Sequence, residues 1–271
     1  MYGIGMCALK KSKLVLRQTL KWFHLLFFFY RLLEWWKSFS FSREKNEYDS
    51  LPIPPSYLRV LVVGTKNLDH FFREGESRVF LMKKLLKTHG FHLNTQKAIL
   101  DFGCGCGRVL RFLKGYNVPL YGCDYNPTLI HWCSGNLSSI AYFEKTDLTP
   151  PLPYKDNQFS LVLVLSVFTH LPEDIQKLWI KEFSRLVSSG NHLILTYHGR
   201  AFYFTLNNNE KEKLYETGIV VRDEEGSGSN LCAVFHTLEW LQNHFSDYFA
   251  IIDKREGKIP KEQSMILFQR R

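Results

Sequence analysis

The chain has 271 residues, 45% of them hydrophobic, enough for one large domain or for a core plus an appendage. Its formal charge of +9 is concentrated: residues 1–48 hold nine Lys or Arg against three Glu, a net +6, so the basic balance is poor evidence that the rest of the chain grips nucleic acid. Six cysteines, two inside a glycine run and the others scattered, argue against a disulfide framework and fit a reducing, intracellular setting.

Leu14 to Trp36 contains neither Gly nor Pro. Arg17, Lys21, His24, Arg31 and Glu34 draw one narrow polar stripe along a helix, with Trp22, Phe23, Phe27, Phe28, Phe29, Trp35 and Trp36 around it. The longest uncharged run, Trp22–Tyr30, is nine residues, against the roughly 20 that span a bilayer. No small-residue cleavage site of a signal peptide follows. Two readings stand side by side: residues 14–36 as a helix in the membrane interface, or as a helix packed on the catalytic domain or a second subunit. The expected location is cytoplasmic, with peripheral membrane association under the first reading.

Ser38–Asp49 is polar, a linker, and Leu51–Pro55 is a stiff extended segment. Tyr57–Gly64 reads as a short strand or an ordered arm, and Gly75 as the opening of a helix from Glu76 to His89. Ala98–Phe102 is an apolar run containing Asp101, followed at once by Gly103-Cys104-Gly105-Cys106-Gly107. Arg108–Leu113 has helical spacing, and Val118–Cys123 is a second strand closed by Asp124. The order strand, glycine loop, helix, strand, with an acid at each strand end, describes the first half of a nucleotide-binding sheet.

Beyond it the alternation continues. Pro127 starts a helix, Ile140–Phe143 is a third strand, and Pro150, Pro151 and Pro153 force a loop. Phe159–Leu165 reads as a central parallel strand covered on both faces. Pro172-Glu173-Asp174 begins a helix to Val187, stopped by Gly190, and His192–Tyr197 is a fifth strand. Asn207–Glu216 is polar, with Asn207–Asn209 a turn, and Arg222–Asn230 is a loop. Leu231–His236 is a strand, Thr237 caps a helix over Leu238–His244, and Tyr248–Asp253 pairs with Ser264–Gln269 as an antiparallel end to the sheet.

The dinucleotide pattern G-x-G-x-x-G/A fails in both registers, because Arg108 or Leu110 stands where its third small residue belongs. What remains is D-x-G-x-G-x-G, and residues 99–108 resemble the first motif of class I S-adenosylmethionine-dependent methyltransferases. The resemblance runs from about Glu76 to Arg271 and implies an α/β fold: a Rossmann-like, seven-stranded, mostly parallel sheet with helices on both faces and an antiparallel C-terminal strand. An N-terminal amphipathic helix precedes it. The implied division is residues 1–48 as helix and linker, 49–75 as an arm or lid over the site, and 76–271 as the methyltransferase domain.

The same resemblance implies S-adenosyl-L-methionine as cofactor. The glycine loop (Asp101, Gly103, Cys104, Gly105, Gly107) would back its methionine end, Asp124 would hold the ribose, and Asp147 would contact the adenine amino group. Tyr125, Leu148 and Ser166 complete the set. One departure is Ser160, where the family usually has an acid; Asp156 lies nearby. No metal is expected, since C-x-C at Cys104 and Cys106 without a paired ligand set is weak evidence for zinc.

Methyl transfer from a sulfonium is an in-line displacement that needs positioning more than acid–base groups. Candidates for a base or for substrate orientation are His170, Tyr197, His198 and His236, all near strand ends. No N/D-P-P-Y/F follows the fourth strand, where Ser166-Val167-Phe168-Thr169 stands, and no Pro-Cys dipeptide occurs. These absences argue against nucleic-acid bases, and no RNA-binding module accompanies the core. The expected partner is a small-molecule acceptor: a lipid, a quinone-like or polyketide metabolite, or a sugar. The look is that of stand-alone bacterial small-molecule methyltransferases. A protein or RNA methyltransferase and a non-catalytic cofactor-binding module stay open as alternatives. Oligomeric state is not readable from the sequence.

Overall fold

Strands rich in Leu, Ile, Val and Phe cross the middle of the sheet, and their alternation builds two cores. The structure, a computed structural model, describes residues 46–222 and 226–271 together with Leu32. Apart from Leu32, the helix expected over residues 14–36 lies outside the described residues. From Asn46 onward they belong to one compact unit, Glu44–Arg271.

The elements are α1 (Ser56–Val63), α2 (Leu68–Thr88), β1 (Ile99–Phe102), β2 (Leu120–Asp124), α3 (Pro127–Asn136), β3 (Tyr142–Lys145) and β4 (Phe159–Val164). There follow α4 (Glu173–Leu186), β5 (Val187–Tyr197), α5 (Asn208–Thr217), β6 (Ile219–Arg222), β7 (Ala233–His236), α6 (Leu238–Phe245), β8 (Phe249–Arg255) and β9 (Ser264–Arg270). Seven strands form one sheet in the order β3-β2-β1-β4-β5-β9-β8. The first five are parallel, and β9 and β8 close the edge antiparallel. Strand order reverses between β1 and β4, so a crevice opens beyond their C-terminal ends.

Because side chains alternate across a strand, Leu100, Phe102, Val162, Val164, Leu193, Leu195, Ile266 and Phe268 face one way. There they meet Trp179 and Phe183 of α4 and Trp240 and Phe245 of α6. Ile99, Leu161, Leu163, Ile194, Met265 and Leu267 face the other, under Val79, Met82 and Leu86 of α2 and Ile130 of α3. Every residue of β1 and of β4 is buried, as a parallel strand covered on both faces requires.

Five local expectations are corrected. Of the two readings of Tyr57–Gly64, strand or ordered arm, the strand is corrected: the segment is the helix α1, in which the Arg59 guanidinium is buried and donates to Pro54 O and Lys66 O, and Leu58 packs inside, so these contacts override the β-branched composition. Helix α2 starts at Leu68, where Asn67 accepts from His70 N, and Gly75 lies inside it. A Cβ at Gly75 would stand 2.4 Å from Arg108 O, so this glycine serves close approach rather than a helix start. Arg108–Leu113 forms turns and a 3-10 segment, Leu110–Phe112, instead of an α-helix, with Phe112 N and Leu113 N reaching back three residues to Val109 O and Leu110 O. Gly190 does not stop a helix; α4 ends at Leu186 and Gly190 lies within β5, where the register with β4 shifts. Asn207–Asn209 opens α5 through a capping box with Glu210.

Helix α5 and the β6–β7 hairpin, outside the main sheet, cover Leu206, Leu214, Val220 and Phe235. Ser160, in place of an acid, ties β4 to the entry of β1: its hydroxyl accepts from Lys97 N at 2.8 Å. Asp156 instead pairs with Arg185 at 2.8 Å.

Candidate active site

The turn after β1 is held by β2. Gly103 N and Cys104 N both donate to Cys123 O, at 2.8 and 3.0 Å. Gly103 has φ 74° and Gly105 φ 57°, conformations that an L side chain resists. Space is equally short: a Cβ at Gly103 would meet Val167 Cγ2 at 2.4 Å, and one at Gly105 would meet Val62 Cγ2 at 2.7 Å. The loop is thus wedged between the turn after β4 and helix α1.

Two carboxylates converge on it. Asp124 Oδ2 accepts from Gly105 N at 3.0 Å and Oδ1 from Asn126 N at 2.9 Å. Burial pushes its pKa up to about 6, against the pull of those backbone N–H groups. Asp101 is only 2% exposed, and its Oδ2 has no hydrogen-bond partner among the described residues. Burial raises its pKa to about 7; Arg108 opposes the rise and Asp124 adds to it. Arg108 in turn leans on Glu74 of α2 at 3.7 Å.

The remaining residues of the expected cofactor set fall in different places. Cys104 is buried against Gly122, its Sγ 3.7 Å from Gly105 O. The side chains of Tyr125 and Leu148 meet at Gly228 of the β6–β7 loop, and Asn230 of that loop donates to Leu61 O of α1. The Asp147 side chain is 84% exposed and pairs with Lys145 at 3.2 Å, so the structure does not gather it with the two buried acids.

At the end of β4, Ser166 has φ 62°, a left-handed conformation costing about 1–3 kcal/mol in a residue with a Cβ. Its N–H donates to Thr196 Oγ1 and its hydroxyl to Gln263 Oε1, both at 2.8 Å. Thr196 Oγ1 donates to the same Gln263 Oε1 at 2.8 Å. That fixes the amide, whose Nε2 faces His198 Nε2 at 3.5 Å, while His198 Nδ1 donates to Val234 O at 3.0 Å. Gln263 and Thr196 were invisible as site residues, because an isolated Gln or Thr in a strand carries no motif.

The other two histidines differ. His236 is fully buried; its Nε2 donates to Gln176 Oε1 at 2.9 Å, the Gln176 amide being oriented by its own bonds to Phe168 O and Leu171 O. His170 is half-buried, with Nδ1 donating to Cys232 O at 2.7 Å and its ring edge-on to His198 at 6.4 Å. Burial lowers all three pKa values, to about 3 for His198 and His236. Each is therefore a neutral imidazole at pH 7. Tyr197 lies in the core cluster with Trp179 and Trp240, its ring edge-on to His236 at 6.3 Å.

Strand order, glycine loop and paired acids together define a nucleotide-binding domain of the class I methyltransferase architecture. The comparisons agree: residues 100–195 match the family model described as "Methyltransferase domain", which supports a class I S-adenosylmethionine-dependent methyltransferase. Ajmaline N-methyltransferase from Rauvolfia serpentina is 32% identical over 106 residues, which are 37% of this chain and 35% of that one. The match thus spans about a third of that relative's length. A SAM-dependent methyltransferase from Methanosarcina mazei superposes with a TM-score of 0.55 at 20% identity, over 68% of this chain and 96% of that one. Magnesium protoporphyrin IX methyltransferase from Synechocystis PCC 6803, with bound SAH, gives 0.54 at 18% identity, over 74% and 86%. At such identities the structural likeness shows the fold.

Proposed function

We propose that this protein transfers a methyl group from S-adenosyl-L-methionine to a small-molecule acceptor. The observation that carries the reading is the meeting of a glycine loop with two buried carboxylates at neighbouring strand ends, one of them with an oxygen that has no hydrogen-bond partner among the described residues. A buried, unpartnered carboxylate oxygen costs free energy unless a ligand completes it. The aminoacyl end of S-adenosylmethionine brings an ammonium, which fits Asp101 Oδ2. Asp124 keeps lone-pair capacity beyond the backbone N–H bonds it accepts from Gly105, Tyr125 and Asn126, and this suits ribose hydroxyls.

When bound, the cofactor supplies a sulfonium-activated methyl group. The chain's part is to hold, cover and orient. Gly103 and Gly105 bring bare main chain to the site. Helix α1 and residues 226–230, joined through Asn230, keep water out. Ser166 and the groups around Gln263 shape the acceptor side of the crevice.

The same reading assigns residues 1–48 to an appendage, 49–75 to an arm over the site and 76–271 to the catalytic body, in a cytoplasmic protein that reaches membrane surfaces through residues 14–36. Among the described residues no helix is long and apolar enough to cross a membrane. Calorimetric titration with S-adenosylmethionine tests the core of the proposal: the wild type should bind, and Asp124→Ala should bind at least about tenfold more weakly. Failure of a folded wild type to bind refutes it. Flotation with anionic vesicles of the full chain, beside one lacking residues 1–48, tests the membrane part, and equal flotation removes it.

A further inference from the structure

We propose that His170 Nε2 takes the proton from the methyl acceptor, and that the acceptor is therefore a neutral O–H or N–H group rather than a carboxylate or a carbon nucleophile. The proposal rests on the methyltransferase reading above. It follows from where each histidine's lone pair ends up.

A carbonyl oxygen can only accept, so a histidine nitrogen bonded to one must carry hydrogen. His170 Nδ1 faces Cys232 O and His198 Nδ1 faces Val234 O, so both rings are fixed with Nδ1–H and a bare Nε2. For His198 that Nε2 is already taken by the Gln263 amide, which is itself held by Ser166 and Thr196. His236 carries its hydrogen on Nε2, toward Gln176, and its bare Nδ1 is sealed in the core with no solvent exposure. Of the three histidines, only His170 keeps a basic nitrogen in reach of a ligand.

Its placement suits the task. His170 ends the 3-10 turn Phe168–His170, its N–H bonded to Val167 O, and Val167 is the residue against which Gly103 is packed. Three residues of 3-10 turn span about 6 Å, so the imidazole stands one turn from the glycine loop. The main chain is held as well, because the backbone carbonyl His170 O accepts from Gly228 N at 2.7 Å. A neutral imidazole with its lone pair presented repels an anion and welcomes a hydrogen-bond donor.

In the step, the acceptor heteroatom bonds to the methyl carbon and the carbon–sulfur bond breaks with its electron pair going to sulfur. The acceptor's proton passes to His170 Nε2. The Nδ1–H bond to Cys232 O steadies the imidazolium that results, and the proton later leaves to water.

The test begins with full-length protein carrying ¹⁵N-histidine, loaded with S-adenosylhomocysteine. Long-range proton–nitrogen spectra should show one ring, missing in His170→Gln, with hydrogen on Nδ1 and none on Nε2. Adding 4-methylphenol should move that Nε2 signal, and 4-methylanisole, which has no O–H, should not. Hydrogen on Nε2, or equal response to both probes, overturns the inference. In methyl-transfer assays His170→Gln should lower kcat on an O–H or N–H acceptor by about 100-fold while leaving cofactor affinity within about twofold. Equal kcat for the two proteins, or transfer to a carboxylate in preference, also overturns it. Absence of S-adenosylmethionine binding by the wild type would instead bring down the parent reading.

Discussion

Asp101 offers the sharpest quantitative prediction. Its carboxyl is buried, its Oδ2 has no hydrogen-bond partner among the described residues, and burial pushes its pKa up from 3.8 to about 7. In the free protein it is mostly neutral below about pH 7. The groups facing it are Arg108, which favours the carboxylate, and Asp124, which disfavours it. A cationic ammonium requires the charged form, so binding must expel a proton whenever the pH is below about 7. The affinity of S-adenosylmethionine should therefore weaken about fivefold, or about 1 kcal/mol, from pH 7 to pH 6. It should weaken again above about pH 8, where the ligand's own α-amino group loses its charge. Asp101→Asn cannot ionise; it should lose about 1.5–3 kcal/mol of binding at pH 7.5 and flatten the acid limb.

The same shift has the opposite sign for the stability of the free protein. The folded state holds the proton more tightly than the unfolded state, so stability falls as pH rises from about 4 to about 7. A shift of roughly three units corresponds to about 4 kcal/mol, which the Asn variant should escape, making its ligand-free form the more stable one at pH 8. Calorimetry at pH 6, 7 and 8, in buffers of different ionisation enthalpy, reads affinity and proton release together. PH-independent binding between 6 and 7 with no proton release would refute the assignment of Asp101 to the ammonium.

Three further outcomes follow from the geometry. Gly103→Ala combines a left-handed φ of 74° with a Cβ 2.4 Å from Val167, and should cost about 2–4 kcal/mol in chemical denaturation; an unchanged midpoint would contradict the packing. Gln263→Leu strips the shared acceptor from Ser166 and Thr196 and should destabilise by about 1–3 kcal/mol while releasing His198, whose nitrogen resonances report the change; a silent His198 spectrum would speak against the network. Asn207→Ala breaks the capping box of α5 and should cost about 1 kcal/mol, visible as a small drop in melting temperature with cofactor binding unaffected.

Much of the fold follows from local pattern alone. The parallel strands, the glycine loop between two acids, the helix start at Pro127, the cap at Thr237, and the antiparallel close of β8 and β9 all rest on periodicity or on residues adjacent in the chain. Backbone conformation and strand alternation are short-range properties, so one sequence displays them. What the sequence left open depends on partners far away in the chain. Gly75 reads as a helix start until Arg108 is brought against it. The three histidines look alike in sequence; their protonation is decided by Cys232, Val234 and Gln176, which lie 62, 36 and 60 residues away. Ser166 and Gln263 meet across 97 residues. Hydrogen-bond direction is a property of three-dimensional neighbours, and so the choice of one basic nitrogen among three belongs to the tertiary structure.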